Sequence, residues 1–599
     1  MNPPLPVSPR ARWSAGRTRT RAVAAATAVA LLATTACNGG EGDDAQEAPQ
    51  TGGTLYVDVL ALPNYLDPQL VQTGVEANIS NLLGRTLTGY RSAPGAAGSE
   101  LVPDLATDTG RPSENNTVWE FTLREGVRWE DGEPVTCQHV KYGVERRFSE
   151  LSDRQTGAVY PLTYLRDNEP AGDDEPEGRV YRGPWVDNNN DGAGLESIEC
   201  VDQRVIRFHL VQPRSDFNYT VSLPVFGAVP PGADDDRDGY NEQPLSNGPY
   251  QIASHEPGEQ LVLERNPHWD AATDPQRGAY PDQLVIEALG DAAVATNDLV
   301  NDAGGDRSRV MLDMDVAPTF LQQVMTDPVL ATRVATGPRG AVRYLAVNTA
   351  LVADERCRQA LSYAMNKRKL RSVFGGSLLG DLATTMIPPN LLAHQEFDHY
   401  DTIGQPDGQP DRAAELREQA AADGADCPDE ITFAFPDNAE LRRMANVVVE
   451  SYQRIGVQVA LEPIDLQEYF VQVLGERRGE FHLTWIVWTP DWPNGSSVIP
   501  PLFDGREPTY NLSQLNDDQI HDLIDEAFAE PDPERQYRLW GELDSLVLET
   551  GAAIPLMYSD ALRMYGSNVR GVFIHPMAGM PDLASIGLAD PALSEASDG

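Results

Sequence analysis

Basic residues are scarce in this chain. Lysine and arginine number 46 against 91 aspartates and glutamates, a net charge of −45 over 599 residues. A field of that sign repels nucleic acid and anionic lipid surfaces, so neither is an expected partner. The acid is spread along the chain and reads as a solvated surface, not as a site for a cationic ligand. Cysteine is rarer still, at five, with no CxxC spacing of the kind zinc sites use. The nine histidines include no H-E-x-x-H pair, and no phosphate-cradling G-x-x-x-x-G-K-[ST] run occurs. Gly375-Gly376-Ser377-Leu378-Leu379 lacks the last glycine of a nucleophile elbow. The chain therefore reads as a non-enzyme without a cofactor. The enzyme alternative is a secreted hydrolase whose catalytic groups meet only in three dimensions.

Long apolar runs are missing too. The longest candidate, Ala22–Ala33, has twelve residues, too few for a permanent membrane span. It follows Arg10, Arg12, Arg17, Arg19 and Arg21, no acidic residue precedes Glu41, and Thr34-Thr35-Ala36 lead into Cys37. This order resembles a bacterial lipoprotein signal, with Cys37 as the lipidated first residue of the mature protein, although Thr34 stands where such signals prefer leucine. Residues 1–36 are then the signal. Residues 37–52, without a large apolar side chain over Asn38–Gly53, form a tether. The expected location is the outer face of the cell membrane, attached by lipid alone.

Calcium is the metal to weigh. Asp187-Asn188-Asn189-Asn190-Asp191-Gly192 and Asp234-Asp235-Asp236-Arg237-Asp238-Gly239 both open like a calcium loop, but Ile198 and Leu245 stand where the bidentate glutamate belongs. Solvated acidic turns without metal are the expectation.

At this length two or three domains are required, and an apolar fraction of 41% supplies their cores. Thr54–Leu60 alternates as a half-buried strand. Leu441, Met444, Val447, Val448, Ser451, Tyr452 and Ile455 make a helical stripe ended by Gly456, and Val457–Leu461 reads as a strand. Such alternation belongs to an α/β fold. The most suggestive stretch is Thr484-Trp485-Ile486-Val487-Trp488-Thr489-Pro490-Asp491-Trp492-Pro493-Asn494. It opens as an apolar strand and breaks at two prolines. Three tryptophans and one carboxylate there supply flat apolar walls and an acceptor for a cation.

Five ordered blocks carry a resemblance. They are Leu101-Val102-Pro103-Asp104-Leu105-Ala106 with the hairpin Trp119–Gly132; Asn247-Gly248-Pro249-Tyr250 through Arg265-Asn266-Pro267-His268-Trp269; Val347-Asn348-Thr349 with Arg358–Asn366; Ile387-Pro388-Pro389; and the tryptophan stretch. Together they resemble the family 5 extracellular solute-binding proteins, the peptide- and nickel-type receptors of ABC importers, from about Gly52 to about Gly571.

The resemblance implies a two-lobed, hinged α/β clamshell like periplasmic binding proteins, with an extra subdomain in lobe I. Lobe I would span 53–290 with the subdomain at 92–199, lobe II 291–549, and 550–599 would return to lobe I, beginning with a strand at Ile554–Tyr558. Four cysteines remain after Cys37, with three possible connectivities. Keeping each pair within one lobe favours Cys137 with Cys200 and Cys357 with Cys427. By the family's W-x-x-D motif, Trp488-Thr489-Pro490-Asp491 would hold a ligand's α-ammonium group at Asp491, walled by Trp488, Trp492 and Trp485. Tyr65 and Asn348 are further candidates. The implied function is a monomeric receptor that captures oligopeptides for the membrane subunits of an ABC permease. A nickel chelate or a sugar is the alternative ligand.

Overall fold

The computed structural model describes residues 48–149, 158–169, 179–186, 194–234, 237–466, 468–506 and 510–594. Cys37 and the Asp187–Gly192 loop lie outside them.

Three sheets organise the chain. In the first, Thr54–Val59 sits between Arg309–Met311 and Gln283–Ala288, parallel to both, and Gln260–Arg265 and Tyr250–Glu256 extend it antiparallel. Leu55, Val57 and Val59 point from the alternating strand into a core shared with Ile79, Leu261, Leu284 and Ile586. The helix Gly74–Leu83 covers that core. Thr73 caps it, accepting from Glu76 N while Glu76 accepts from Thr73 N at 2.9 Å.

The second sheet has four strands, ordered Arg111–Ser113, Val118–Thr122, Val205–His209 and Ile198–Cys200. It has a core of its own, dense in aromatic rings. Phe208 lies 5.4 Å from Phe217, and Phe217 lies 5.7 Å from Phe226, both edge-on. Buried residues of this core run from Leu87 to Ala228, so the subdomain's core reaches past the 92–199 span expected for it.

The third sheet has six strands, in the order Gly380–Leu382, Ala553–Met564, Val334–Val347, Leu483–Trp488, Glu430–Pro436, Gln458–Ile464. Its period-2 strands feed two cores. Val342, Tyr344 and Ile486 face one side, while Leu345, Val347 and Trp485 face the other. The helix Ala439–Gln453 buries Leu441, Met444, Val447, Val448, Ser451 and Tyr452, the stripe its spacing predicts. Asn438 caps it by accepting from Leu441 N at 2.8 Å, and Gly456 follows with φ 77°.

Two segments depart from the expected lobe borders. The strand Arg309–Met311 pairs with Thr54–Val59, so the first sheet takes in chain beyond residue 290. The strand Ala553–Met564 does not begin a return to lobe I at Ile554–Tyr558. Those residues pair inside the six-stranded sheet, Leu345 with Ile554 and Val342 with Tyr558. Only its far end, Ala561 and Tyr565, joins the first sheet's core. Val334–Val347 and Ala553–Met564 thus run side by side from one lobe to the other, with a register shift between Pro338 and Val342.

The four described cysteines stand at disulfide distance in two pairs. The Cα–Cα separations are 5.8 Å for Cys137 and Cys200, and 5.4 Å for Cys357 and Cys427. Asp234 is not a solvated turn residue. It is 1% exposed, and Arg146 Nε lies 2.8 Å from its carboxylate. The same guanidinium also grips Asp67.

Candidate functional site

The strand Leu483–Trp488 delivers its last residues to different places. Trp485 is 3% exposed and stacks on Phe374 with centroids 5.5 Å apart, so it is core and lines no site. Beyond it the chain turns at Thr489-Pro490 into a loop fixed by its own hydrogen bonds. Trp488 Nε1 donates to Ser497 O at 2.8 Å, and Trp492 Nε1 donates to Ser496 Oγ at 2.8 Å. Ser497 Oγ donates to Trp492 O at 2.7 Å, and Asn494 Oδ1 accepts from Gly495 N at 2.7 Å. A loop so tied keeps its side chains in place without further ordering.

Asp491 stands between the two tryptophans. Its side chain is exposed to the cleft, while protein crowds around it from both lobes. That surrounding burial pushes its carboxyl above the usual range, and a hydrogen bond from the Tyr160 hydroxyl works the other way. Among the described residues no lysine, arginine or histidine pairs with it. Tyr160 belongs to the short helix Tyr160–Tyr164 of the subdomain, across the cleft. Its ring meets Trp492 edge-on at 5.1 Å. The Tyr160 hydroxyl is held far up its own scale by burial and then by the Asp491 charge.

The cavity has a volume of about 1140 Å³. Asn81 and Arg85 reach it from the first sheet's side, Tyr160 and Arg214 from the subdomain, and Arg343 and Asp491 from the six-stranded sheet. Six arginines and four aspartates line it, with no lysine or glutamate, an unusual wall in so acidic a chain. Most of these arginines are neutralised. Arg85 and Arg277 share Asp104 at 2.7 Å each, and Arg339 and Arg563 share Asp315. Arg214 and Arg343 have no carboxylate within ion-pair distance among the described residues. Arg214 is instead clamped between the rings of Tyr164 at 4.4 Å and Phe528 at 3.8 Å.

Further bonds close the far rim. Tyr219 and Tyr537 share a hydroxyl–hydroxyl bond of 3.1 Å, Ser215 N donates to Phe528 O at 3.2 Å, and Ser496 Oγ donates to Asp216. The cleft is thus bounded by the two long strands on one side and by this rim on the other.

Of the site residues expected from sequence, Trp488, Asp491 and Trp492 line the cavity together. Tyr65 does not. Its neighbours Leu66 and Pro68 do, and its backbone N is tied to Glu76 at 3.1 Å. Asn348 is 1% exposed and braces a turn, donating to Gly479 O at 3.0 Å and Phe481 O at 3.2 Å. Tyr160, Arg214 and Arg343 were not foreseen. Arg343 did leave a signal, a lone charge in the apolar run Ala341-Val342-Arg343-Tyr344-Leu345.

Residues 100–509 match the bacterial extracellular solute-binding proteins, family 5. The dipeptide-binding protein of Escherichia coli is 22% identical over 536 residues, covering 86% of this chain and 91% of that protein. The periplasmic oligopeptide-binding protein OppA of Salmonella typhimurium is 23% identical, covering 82% of this chain and 84% of its own. Among solved structures, clavulanic acid biosynthesis oligopeptide binding protein 2 superposes with a TM-score of 0.81 at 31% identity. That match covers 90% of this chain and 96% of the other. A family match over residues 100–509, more than half of the chain, makes this chain a member of the family 5 bacterial extracellular solute-binding proteins.

Proposed function

We propose that this chain captures peptides outside the cell by their free α-ammonium group and delivers them to an ABC permease, with Cys37 as its lipid anchor. The observation that carries the reading is the Asp491 carboxylate. It opens on the cavity with one hydrogen bond, from Tyr160, and no cationic partner among the described residues. A carboxylate held up by burial gains from an arriving cation. At about 4 Å and an effective dielectric near 20 the attraction is on the order of 4 kcal/mol before desolvation is subtracted. The cavity, at about 1140 Å³, exceeds the range of roughly 300–1,000 Å³ that suits a drug-sized molecule, which leaves room for more than one amino acid. Relatives named for dipeptide and oligopeptide binding support the same ligand class. Asp491 comes from one lobe and Tyr160 from the other, so a ligand touching both favours closure.

Calorimetry on the purified chain tests this. Asp491→Asn is expected to weaken a free-amino peptide by roughly 2 to 5 kcal/mol, the range for breaking a buried charge pair. An amino-acetylated peptide should bind the wild type poorly and lose little more in the variant. Equal affinity of both proteins for the free-amino peptide removes Asp491 from the site.

A further inference from the structure

Four aromatic side chains gather at the Asp491 carboxylate in two pairs. Tyr160 meets Trp492 edge-on at 5.1 Å, and Trp488 and Tyr510 have ring centroids 5.3 Å apart. All four line the same cavity as Asp491. Trp492 is 1% exposed and backs Tyr160, whereas Trp488 is half-buried and Tyr510 is 40% exposed. Burial, and then the Asp491 charge, pushes up the hydroxyl of Tyr510 as it does that of Tyr160. The loop's polar atoms, by contrast, are largely engaged with the protein. Trp488 Nε1 donates to Ser497 O and Trp492 Nε1 to Ser496 Oγ, which itself donates to Asp216. Asn494 accepts from Gly495 N and donates to Gln536 Oε1. One Asp491 oxygen already accepts from Tyr160. A cation arriving there meets one remaining carboxylate oxygen and several rings. A primary ammonium carries N–H groups that each require an acceptor once they leave water. A nitrogen bearing methyl groups in their place needs fewer acceptors, keeps its charge and is attracted by ring faces within about 6 Å.

We propose that Asp491, Trp488, Tyr510 and Tyr160 form a cage that prefers an N-methylated ammonium group on the ligand to a primary one. The inference rests on Asp491 as the cation site and narrows the chemistry of the cation it takes. Charge is still required, so the poor binding expected of an amino-acetylated peptide stands. The two parts of the cage have separate effects. Asp491 attracts every methylation state alike, because each carries the same positive charge. The rings set the preference, because alkylation trades N–H groups short of acceptors for contact with π faces. Tyr510 is the ring on which this is best read, since it is the most exposed of the four and lies outside the hydrophobic cores.

The test uses the full mature chain and the tripeptide glycyl-alanyl-alanine with its amino end free, dimethylated or trimethylated. The 3,3-dimethylbutanoyl analogue, which has the shape of the trimethylated form without its charge, is the control, and glycine betaine and choline are the non-peptide cations. Calorimetry compares wild type, Asp491→Asn, Tyr510→Phe and Tyr510→Leu. The trimethylated peptide is expected to bind the wild type about three- to thirtyfold better than the free amine, with the dimethylated form between them. Tyr510→Phe keeps the ring and should keep that preference, whereas Tyr510→Leu should lose it. The uncharged analogue should bind at least about tenfold more weakly than the trimethylated peptide. A free amine that binds as well as the trimethylated form overturns the cage, as does a preference that survives in Tyr510→Leu. An uncharged analogue that matches the trimethylated peptide also overturns it, by marking the site as merely apolar, and this arm decides if Tyr510→Leu fails to fold. A free amine whose binding depends on Asp491, with no gain on methylation, overturns the cage and leaves Asp491 as the ammonium site. If no form of the peptide binds, the peptide reading falls. Glycine betaine and choline then decide, because failure of both to bind in a way that depends on Tyr510 overturns the cage as well.

Discussion

Lys367 shows how a single buried charge is carried beside the six-stranded sheet. It is 3% exposed, and its Nζ donates to Thr402 Oγ1 at 2.9 Å and Ala383 O at 3.2 Å, with no carboxylate in ion-pair contact among the described residues. Burial pulls the amine down to about 7 from its ordinary 10.5, opposed by the more distant Asp398. The folded state therefore holds fewer protons than the unfolded chain between those values, and stability rises with pH across that window. Below about pH 7 the cost of the buried ammonium is present in full. Lys367→Met keeps the stem and deletes the charge, although it leaves two acceptors unpaired. Its effect relative to wild type should be more favourable at pH 6 than at pH 9.5, by on the order of 3 kcal/mol. Urea unfolding at the two pH values measures this. The same difference at both would mean that Lys367 stays charged in the folded chain.

Among the elements, local patterns were legible and pairings were not. The stripe of Ala439–Gln453 and the alternation of Thr54–Val59 follow from side-chain period alone, so sequence located them. Nothing periodic tells a three-residue strand, Arg309–Met311, to pair with Thr54–Val59 some 250 residues earlier, across the lobe border expected near residue 290. The same limit applies to the site. Asp491 with its tryptophans was readable as one loop, whereas Tyr160 reaches it only because the subdomain folds across the cleft. That crossing depends on short elements at the rim. The helix Phe217–Thr220 meets the helix Pro533–Glu549 through the Tyr219–Tyr537 bond, beside Arg214 on Phe528. Removing the bond with Tyr537→Phe should cost about 1 kcal/mol of closure. If the closed state is the one that binds, ligand affinity falls up to about fivefold by population shift, mostly through faster release. Small-angle scattering of the ligand-free variant should show a larger radius of gyration than the wild type. An unchanged radius with unchanged affinity would mean the rim bond does not hold the lobes together.

For the whole molecule, the proposed lipid anchor has to hold a body of net charge −45. Anionic lipid repels it, and no described helix is long and apolar enough to cross a bilayer. Electrostatic adsorption would demand a basic face that 46 lysines and arginines, many of them tied to carboxylates, do not supply. On the proposed reading the attachment is covalent, at Cys37, which follows five arginines, an apolar run and three small residues. One acyl chain gives only marginal attachment, so a diacylated cysteine is the chemistry that fits stable anchoring. Cys37→Ser should move the protein from the membrane fraction into the medium. Its peptide affinity should match the wild type, since Cys37 lies far along the chain from the loop that carries Asp491. Washing wild-type membranes with 1 M salt, which screens charges beyond about 3 Å, should release none of it. Retention of Cys37→Ser on the membrane would sink the lipid anchor, and release of the wild type by salt would replace it with surface adsorption.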